Sequence, residues 1–359
     1  TLDKNNLQYL KDLTAAPSPS GFEMPIAAVM RARLERSADA VATDVMGSVH
    51  GLLKGTDEKA PRVMLAGHID EVGLMVRYIT DDGFVSFSSI GGIDAGILPG
   101  MRVDVWTKQG PLRGVIGKRA IHMLDADERK ALVPLEKLTI DLGLSGEEAR
   151  ARIMIGDPIT FALQLEEIGE GFAVSRAFDD KIGAYVITRA LELVKEAGGA
   201  ASELTVAGTV QEEIGMRGGE TSCFGIDPDI GIAVDVGQAT DTPDVDKRRF
   251  GDIRCGGGPI ITRGPNINPV VFERLLAAAD KAGVPYQIAG NPRGTGTDAN
   301  AIQLTRGGKA AGLIEVPLRY MHTPSEVVCL DDIDAAASLL ARFVLGLDAT
   351  VDFTPRVEG

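Results

Sequence analysis

The segment RVMLAGHID at residues 62–70 decides how this chain folds. Its apolar run, residues 62–66, is short enough for a buried strand. His68 and Asp70 come at the end of that run, and the two-residue period of a strand places both on one face. In open α/β sheets, sites lie at the carboxyl ends of the strands. The segment therefore predicts a central strand that carries polar chemistry at its end.

Strands and helices alternate on both sides of this segment. Helices are predicted over residues 3–14, 22–36, 177–198, 269–283 and 331–347, and further strands over 204–210 and 230–236. Such alternation is typical of a sheet that is covered by helices on both faces. We therefore expect the α/β fold class, with a mixed, mainly parallel sheet flanked by helices.

The middle of the chain has a different texture. Short alternating runs broken by Gly, Pro and Asp cover about residues 71–165, with one helical stretch at 145–152. This pattern predicts a small, β-barrel-like domain inserted into the α/β domain. The expected division is residues 1–70 and 166–359 for the main domain and 71–165 for the insertion.

Composition restricts the partners. The 359 residues include 37 Lys and Arg and 51 Asp and Glu, so the net charge is −14. Nucleic acids and anionic membranes would repel a protein of this charge. No apolar run is long enough to span a membrane, and the polar start TLDKNNLQ is no signal peptide. The three cysteines lack any CxxC spacing and indicate reduced thiols. These features predict a cytoplasmic protein.

Paired acidic residues stand at the ends of two predicted elements. Asp179-Asp180 precedes the long helix, where a carboxylate can also serve as a helix cap. Glu212-Glu213 directly follows the apolar strand LTVAGTV. Two crowded carboxylates repel each other unless a cation lies between them. The second pair therefore indicates a cation site.

Two more residues complete a ligand set. Asp235 ends the next predicted strand, and His322 lies in the loop RYMHTPS. Together with His68 and one residue from each acidic pair they supply two imidazoles and three carboxylates, which suit two Zn²⁺ or similar ions with one bridging carboxylate. Two such ions activate water at neutral pH and stabilise an oxyanion. The extra glutamate beside a ligand would shuttle the proton to the leaving amine.

Five motifs in order carry a resemblance. GHIDEVGLMV, AFDDKIGA, VQEEIGMRGG, AVDVG and RYMHTPSEVV resemble the metal motifs of the tetrahedral aminopeptidases, the glutamyl or deblocking aminopeptidases, some of which were labelled endoglucanases. The resemblance covers nearly the whole chain. It departs mildly at His322-Thr323-Pro324, where the family commonly has His-Ser-Pro. It implies a zinc-exopeptidase-like fold, a dinuclear metallo-aminopeptidase, and assembly of dimers into a hollow tetrahedral dodecamer.

The resemblance also implies a role for each motif residue. The cofactors would be two divalent ions per chain, Zn²⁺ first and Co²⁺ as the other option. The implied roles are His68 and Asp235 on one ion, Glu213 and His322 on the other, Asp179 bridging, Glu212 as general base, Asp70 as partner of His68, and a cis peptide between Asp179 and Asp180. His50, His122 and the cysteines match no ligand motif and are assigned structural roles.

Two other readings stay open. A glycan hydrolase would use Glu212 and Glu213 without metal, with carboxyls about 5–9.5 Å apart across a sugar. A non-catalytic scaffold is disfavoured by the completeness of the motifs. For an aminopeptidase, we expect peptides with a free N-terminus as substrates. The loop at 291–298 offers small neutral groups, so we expect a neutral apolar N-terminal residue, with Arg293 and Arg217 as the cations that would instead select an acidic one.

Overall fold

The computed structural model describes residues 2–355. The helices are α1 Lys4–Ala15, α2 Met24–Leu34, α3 Gly146–Arg152, α4 Phe178–Glu196, α5 Arg217–Ile226, α6 Lys247–Phe250, α7 Pro269–Ala282, α8 Asp298–Leu304 and α9 Leu330–Leu345. The strands are β1 Ala40–Thr43, β2 Val49–Leu53, β3 Val63–His68, β4 Gly73–Ile79, β5 Val85–Ile90, β6 Arg102–Thr107, β7 Gly110–Ile116, β8 Ile140–Asp141, β9 Pro158–Phe161, β10 Glu166–Ile168, β11 Phe172–Ser175, β12 Leu204–Thr209, β13 Ile230–Gln238, β14 Ile260–Arg263, β15 Gln287–Gly290, β16 Ala310–Arg319 and β17 Glu326–Cys329.

The large sheet has β3 near its centre. Its main order is β1-β2-β12-β3-β13-β16-β17-β11-β10, and β14 and β15 extend it from β16. The strands β12, β3, β13 and β16 are mutually parallel, whereas the flanking strands pair antiparallel. All six residues of β3 are buried, which fits a strand with helices on both sides. The predicted α/β class with a mixed sheet is confirmed, and its parallel parts are the central four strands and the pair β14-β15.

Glycines let the longest helix approach the centre of this sheet. A Cβ on Gly67 of β3 would lie 2.6 Å from the backbone carbon of Gly183 in α4. The N-terminal end of α4 therefore reaches the carboxyl end of β3 closely enough for backbone contacts. Tyr185 and Ile182 of the same helix are fully buried in the main core. This packing holds the start of α4 beside the strand ends.

The middle of the chain closes on itself. The strands β4-β5-β8-β7-β6-β9 form a closed barrel. Its interior is a second apolar cluster, separate from the main core, that includes Val76, Phe87, Val105, Ile140 and Ile159. The first and last strands of the barrel, β4 and β9, pair antiparallel. The barrel therefore leaves and rejoins the main sheet at neighbouring positions.

The predicted bounds of the long elements agree with the observed ones to within two residues. The helix predicted at 331–347 is α9, and ten of its residues are buried because it packs against α4 and α7. In the described part of the chain, no helix is long and apolar enough to cross a membrane.

Candidate metal centre

The strand ends and the start of α4 bring the predicted residues together. β3 ends at His68, β13 carries Asp235 near its end, and Asp179 lies in the first turn of α4. The other members follow a strand: Glu212 and Glu213 after β12, and His322 after β16. The residues with polar side chains buried here are His68, Asp70, Asp179, Glu212 and Asp235.

Asp179 lies between the two histidines. Its Oδ1 atom is 3.2 Å from Nε2 of His68, and its Oδ2 atom is 3.2 Å from Nε2 of His322. His322 Nε2 is also 3.5 Å from Oε2 of Glu213. On the other side, His68 Nε2 is 4.0 Å from Oδ1 of Asp235. The two oxygens of this one carboxylate thus face two different imidazoles.

These atoms form two groups that could each hold a metal ion. The ligand atoms within each group lie within 4.8 Å of one another, and the groups are His68, Asp179 and Asp235, and Asp179, Glu213 and His322. Mixed imidazole and carboxylate donors suit Zn²⁺ and similar ions. Among residues 2–355, the buried Oε1 atoms of Glu212 and Glu213 have no hydrogen-bond partner. Orphaned carboxylate oxygens beside such groups fit a site built for cations.

Burial and mutual proximity raise the pKa values of three acidic residues in this centre. Burial, with the nearby Asp298 and Glu213, raises the pKa of Glu212 to about 8 although His68 opposes the shift. Burial and Asp179 raise the pKa of Glu213 to about 7. Burial and Asp180 also raise the pKa of Asp235 well above its usual range. Carboxylates this crowded repel one another unless positive charge lies between them.

The neighbouring carboxylates stabilise the protonated forms of the two histidines and so raise their pKa values. Burial alone would lower the pKa of His68, but Asp179 and Asp70 outweigh it and raise the pKa well above its usual range. A hydrogen bond with Asp179 raises the pKa of His322 to about 9. Burial would raise the pKa of Asp179, yet the two histidines hold it low. The protein alone therefore favours positive charge between these carboxylates.

Carboxylates also fix the backbone of the loop after β12. The amide of Gln211 donates to Oε1 of Glu23 at 3.1 Å. The amides of Glu212 and Glu213 donate to Oδ1 and Oδ2 of Asp70 at 2.9 and 3.1 Å. Asp70 also approaches Nδ1 of His68, through its backbone oxygen at 3.1 Å and its Oδ1 at 3.4 Å. Asp70 therefore holds the Glu212-Glu213 loop as well as the imidazole.

Glu326 performs a similar task for the other ligands. Its Oε2 accepts from the amide of Asp179 at 3.1 Å, and its Oε1 accepts from the amide of His322 at 2.9 Å. The side chain is buried, at 1% exposure. Asp180 accepts from the amides of His68 and Gly183, and the peptide bond before it is cis, as the resemblance implied. Sequence reasoning assigned no role to Glu326, although it lies within the quoted motif RYMHTPSEVV.

A buried ion network supports the segment before α4. Arg176 and Lys181 both contact the carboxylate of Glu71, and the amide of Ser18 donates to it at 2.9 Å. Lys181 also donates to the backbone oxygen of Ala16 at 2.7 Å. Burial would raise the pKa of Glu71, but the two cations lower it to about 2. The charges on either side of Asp179-Asp180 thus tie this segment to the loop after α1.

The remaining histidines lie outside this constellation. His50 Nε2 is 3.0 Å from Oγ of Ser222, and His122 lies in a short 3₁₀ turn, Ile121–Met123, of the inserted region. Cys223, Cys255 and Cys329 are free thiols. None of these residues belongs to either ligand group found among the described residues. Their structural assignment stays a prediction.

Comparison with known proteins finds aminopeptidases that are similar over nearly the whole chain. The model of the M42 glutamyl aminopeptidase family matches residues 47–339. The lysyl aminopeptidase of Pyrococcus furiosus is 33% identical over 97% of this chain and 99% of its own. The TET aminopeptidase of the marine sediment archaeon Thaumarchaeota archaeon SCGC AB-539-E09 superposes with a TM-score of 0.91, at 34% identity over 96% of this chain and 97% of its own.

A second solved structure extends the likeness at lower identity. The TET1 peptidase of Pyrococcus horikoshii, which can assemble into a tetrahedron or a large octahedral shell, gives a TM-score of 0.83 at 27% identity. The match covers 95% of this chain and 99% of that one. The family match spans most of the chain, and the first relative is similar over its full length. The chain therefore belongs to the M42 glutamyl aminopeptidase family of peptide hydrolases.

Proposed function

We propose that this protein is a metal-dependent aminopeptidase that removes N-terminal residues from short peptides with two divalent ions. The observation that carries the proposal is the position of Asp179, which belongs to both candidate ligand groups. One ion would be held by His68, Asp179 and Asp235, and the other by Asp179, Glu213 and His322. Zn²⁺ suits these donors best, with Co²⁺ as an alternative. We retain the cytoplasmic location predicted from the composition as part of this proposal.

Each side chain has a task in peptide hydrolysis. Two bound ions would supply Lewis acidity for the scissile carbonyl and for the attacking water. Glu212, which belongs to neither ligand group, takes the proton from that water and returns it to the leaving amine. Asp70 orients the imidazole of His68 and the loop that carries Glu212. Buried surroundings strengthen these electrostatic interactions.

Recognition of the free N-terminus falls to the same carboxylates. The Oε1 atoms of Glu212 and Glu213 are buried and have no partner in the described structure. An α-ammonium is a donor that such oxygens bind strongly, because both groups are charged. Acetylation removes that charge and most of the donors. The proposal therefore excludes N-acetylated peptides as substrates.

A chelator experiment tests the proposed function. We expect release of the anilide from Leu-anilide to stop after treatment with chelator and to return with Zn²⁺ or Co²⁺. The N-acetylated anilide serves as the control and should not be cleaved. Activity on cellulose that survives chelator would instead support the glycan hydrolase. Metal-loaded protein without activity on any amino-acyl anilide would support the non-catalytic scaffold.

We also propose that the barrel builds the assembly, as dimers that close into a dodecamer. The support is the related TET1 peptidase, which assembles into a tetrahedron or an octahedral shell. Large apolar side chains are exposed on the inserted region. Monomeric proteins rarely expose large contiguous apolar patches. These side chains are Tyr78, Phe84, Ile121, Met123, Leu132, Met154 and Ile155.

Deleting residues 72–163 and closing the gap with a short linker should yield a smaller particle. The barrel has its own core, and its end strands β4 and β9 are hydrogen-bonded neighbours, so a short linker can join the cut ends. Light scattering measures the outcome, and a cooperative thermal transition shows that the remaining domain is folded. A particle of unchanged subunit number would refute the role of the barrel in assembly.

Replacing Glu326 by glutamine should weaken metal binding tenfold or more. Glutamine has one acceptor oxygen, so the amide of either Asp179 or His322 loses its partner. Losing partners that orient metal ligands typically costs about 10–100-fold in affinity. Metal affinity by calorimetry is the measurement. Asp332→Asn is the matched control, because Asp332 is a buried carboxylate that accepts from two amides, of Gly256 and Gly258, in neither ligand group. Equal affinities in both variants would contradict this role of Glu326.

A further inference from the structure

A second carboxylate, Glu315, lies on the same face of the sheet as the candidate metal centre. It is the register partner of Asp235 on the neighbouring parallel strand β16. Adjacent strands are about 4.8 Å apart, and partners in register project from the same face. Gly237 follows Asp235 by two residues on that face, and a Cβ there would lie 3.4 Å from the Cδ atom of Glu315. The carboxyl group of Glu315 therefore lies beside Gly237, near the end of β13.

Glycine at position 237 lets two neighbouring side chains pack closely against β13. An added Cβ would also approach Cδ1 of Ile260 to 2.5 Å and Cβ of Glu315 to 3.1 Å. Ile260 belongs to β14, on the other side of β16. Glu315 thus lies between Gly237 and β14, next to the strand that carries Asp235. A larger residue at position 237 would clash with Ile260 and push against Glu315.

Glu315 lacks a cationic partner within residues 2–355. The hydroxyl of Thr262 donates to its Oε2, and no salt bridge accompanies that contact. Burial raises the pKa of this carboxyl to about 7, and the hydrogen bond from Thr262 only partly offsets it. The residue nevertheless remains half-buried, so solvent reaches it. A recessed but reachable carboxylate without a counter-ion is unusual, because desolvated charges are normally paired.

We propose that Glu315 selects a basic N-terminal residue, lysine or arginine, by pairing with its side chain. This inference rests on the proposed aminopeptidase function, since it assigns the side-chain pocket of the same site. A lysine ammonium sits on a flexible four-carbon stem, and an arginine guanidinium on a similar one. Either can reach past the strand end while the α-ammonium stays at Glu212 and Glu213. The pairing restores the counter-charge that Glu315 lacks, whereas an acidic residue would be repelled.

This assignment differs from the sequence-based expectation of a neutral apolar preference, which stays a prediction. That expectation considered the loop at 291–298 and its cation Arg293, which is exposed. Arg217, the other cation considered, is also exposed and donates to Gln211 at 3.4 Å. Glu315 was overlooked because it lies within the apolar strand AAGLIEVPL. Its charge, on the metal-side face of the sheet, favours a cation.

The test compares kcat/KM for Lys-, Arg-, Leu- and Glu-anilides in metal-loaded wild-type protein and in Glu315→Gln. We expect the wild type to prefer Lys or Arg over Leu by about tenfold or more, and the variant to reduce that ratio by at least about tenfold. Glu196→Gln is the charge-matched control, since Glu196 ends α4, about 27 Å along the 19-residue helix from the centre. It should keep the wild-type ratio.

The outcomes separate this inference from the proposed function. Metal-dependent cleavage with a preference for Leu or Glu overturns the role of Glu315 and leaves the aminopeptidase intact. A basic preference that persists unchanged in Glu315→Gln also overturns it, because another group must then bind the cation. Failure to cleave any of the four anilides contradicts the proposed function itself.

Discussion

Replacing Asp179 by alanine is expected to reduce the bound metal from two ions per chain to one or none and to abolish activity. Its two oxygens face His68 and His322, each at 3.2 Å, and it belongs to both ligand groups. Without this carboxylate, two cations would lie close together without the anion that screens them. Elemental analysis of protein loaded with Zn²⁺ gives the stoichiometry, and the anilide assay gives the rate.

Asp235→Ala is the matched comparison for this prediction. Asp235 belongs to only one of the two groups, so its loss should release one ion and leave the other in place. The contrast between the two variants is more informative than either alone, because both remove one buried carboxylate. An Asp179→Ala protein that still binds two ions would show that Asp179 does not bridge. Asp180 is the adjacent candidate, although its oxygens accept from the amides of His68 and Gly183.

Replacing Glu212 by glutamine should retain both ions and reduce kcat by at least about 10²-fold. A positioned general base contributes about 10²–10⁴-fold, and glutamine cannot accept the proton. Glu212 is buried, with Oε2 4.0 Å from Nε2 of His68, and it belongs to neither ligand group. The rate should therefore fall without loss of metal.

Glu213→Gln is the control that separates the neighbours. Glu213 belongs to the group with Asp179 and His322, so this variant should lose metal affinity together with activity. Both variants change one carboxylate to an amide in the same loop. Calorimetric metal titration and kcat with Leu-anilide are measured for each. Near-wild-type turnover in Glu212→Gln, with its metal intact, would remove Glu212 from the mechanism.

The sequence predicted the centre of the fold because strong local patterns and site positions coincide there. The apolar run before His68 is short enough for a buried strand, and it is β3. Parallel strands bring their carboxyl ends to one edge, so residues that follow separate strands were expected to meet. Asp235 and the Glu212-Glu213 pair satisfy that geometry. The order of the motifs then assigned roles that spacing alone left open.

Other secondary-structure elements could not be predicted from local sequence patterns. The helix α5, Arg217–Ile226, has glycines at 218, 219 and 225, and it was not predicted because glycine disfavours helices. Tertiary contact explains the glycine at 219, where a Cβ would lie 2.2 Å from Oδ1 of Asp298. The short helix α8 that begins at Asp298 follows a Gly-Thr-rich loop and was also missed.

The side chains that hold the ligands were the least predictable part. Glu326 accepts from an amide 147 residues away, and Asp70 accepts from amides more than 140 residues away. Such contacts depend on the completed fold, and the sequence around each residue shows only an acid beside an apolar run. The partners of Glu326 and Asp70 are backbone amides, and the residue type does not identify which amides will be bound. Long-range hydrogen bonds to amides therefore escape an analysis of one sequence.

Anomalous diffraction from crystals of Zn²⁺-loaded protein, recorded on both sides of the zinc absorption edge, tests the two-ion centre most directly. We expect two peaks about 3.5–4 Å apart. One should contact His68, Asp179 and Asp235, and the other Asp179, Glu213 and His322. A single peak, or two peaks that do not share Asp179, would contradict the proposed centre.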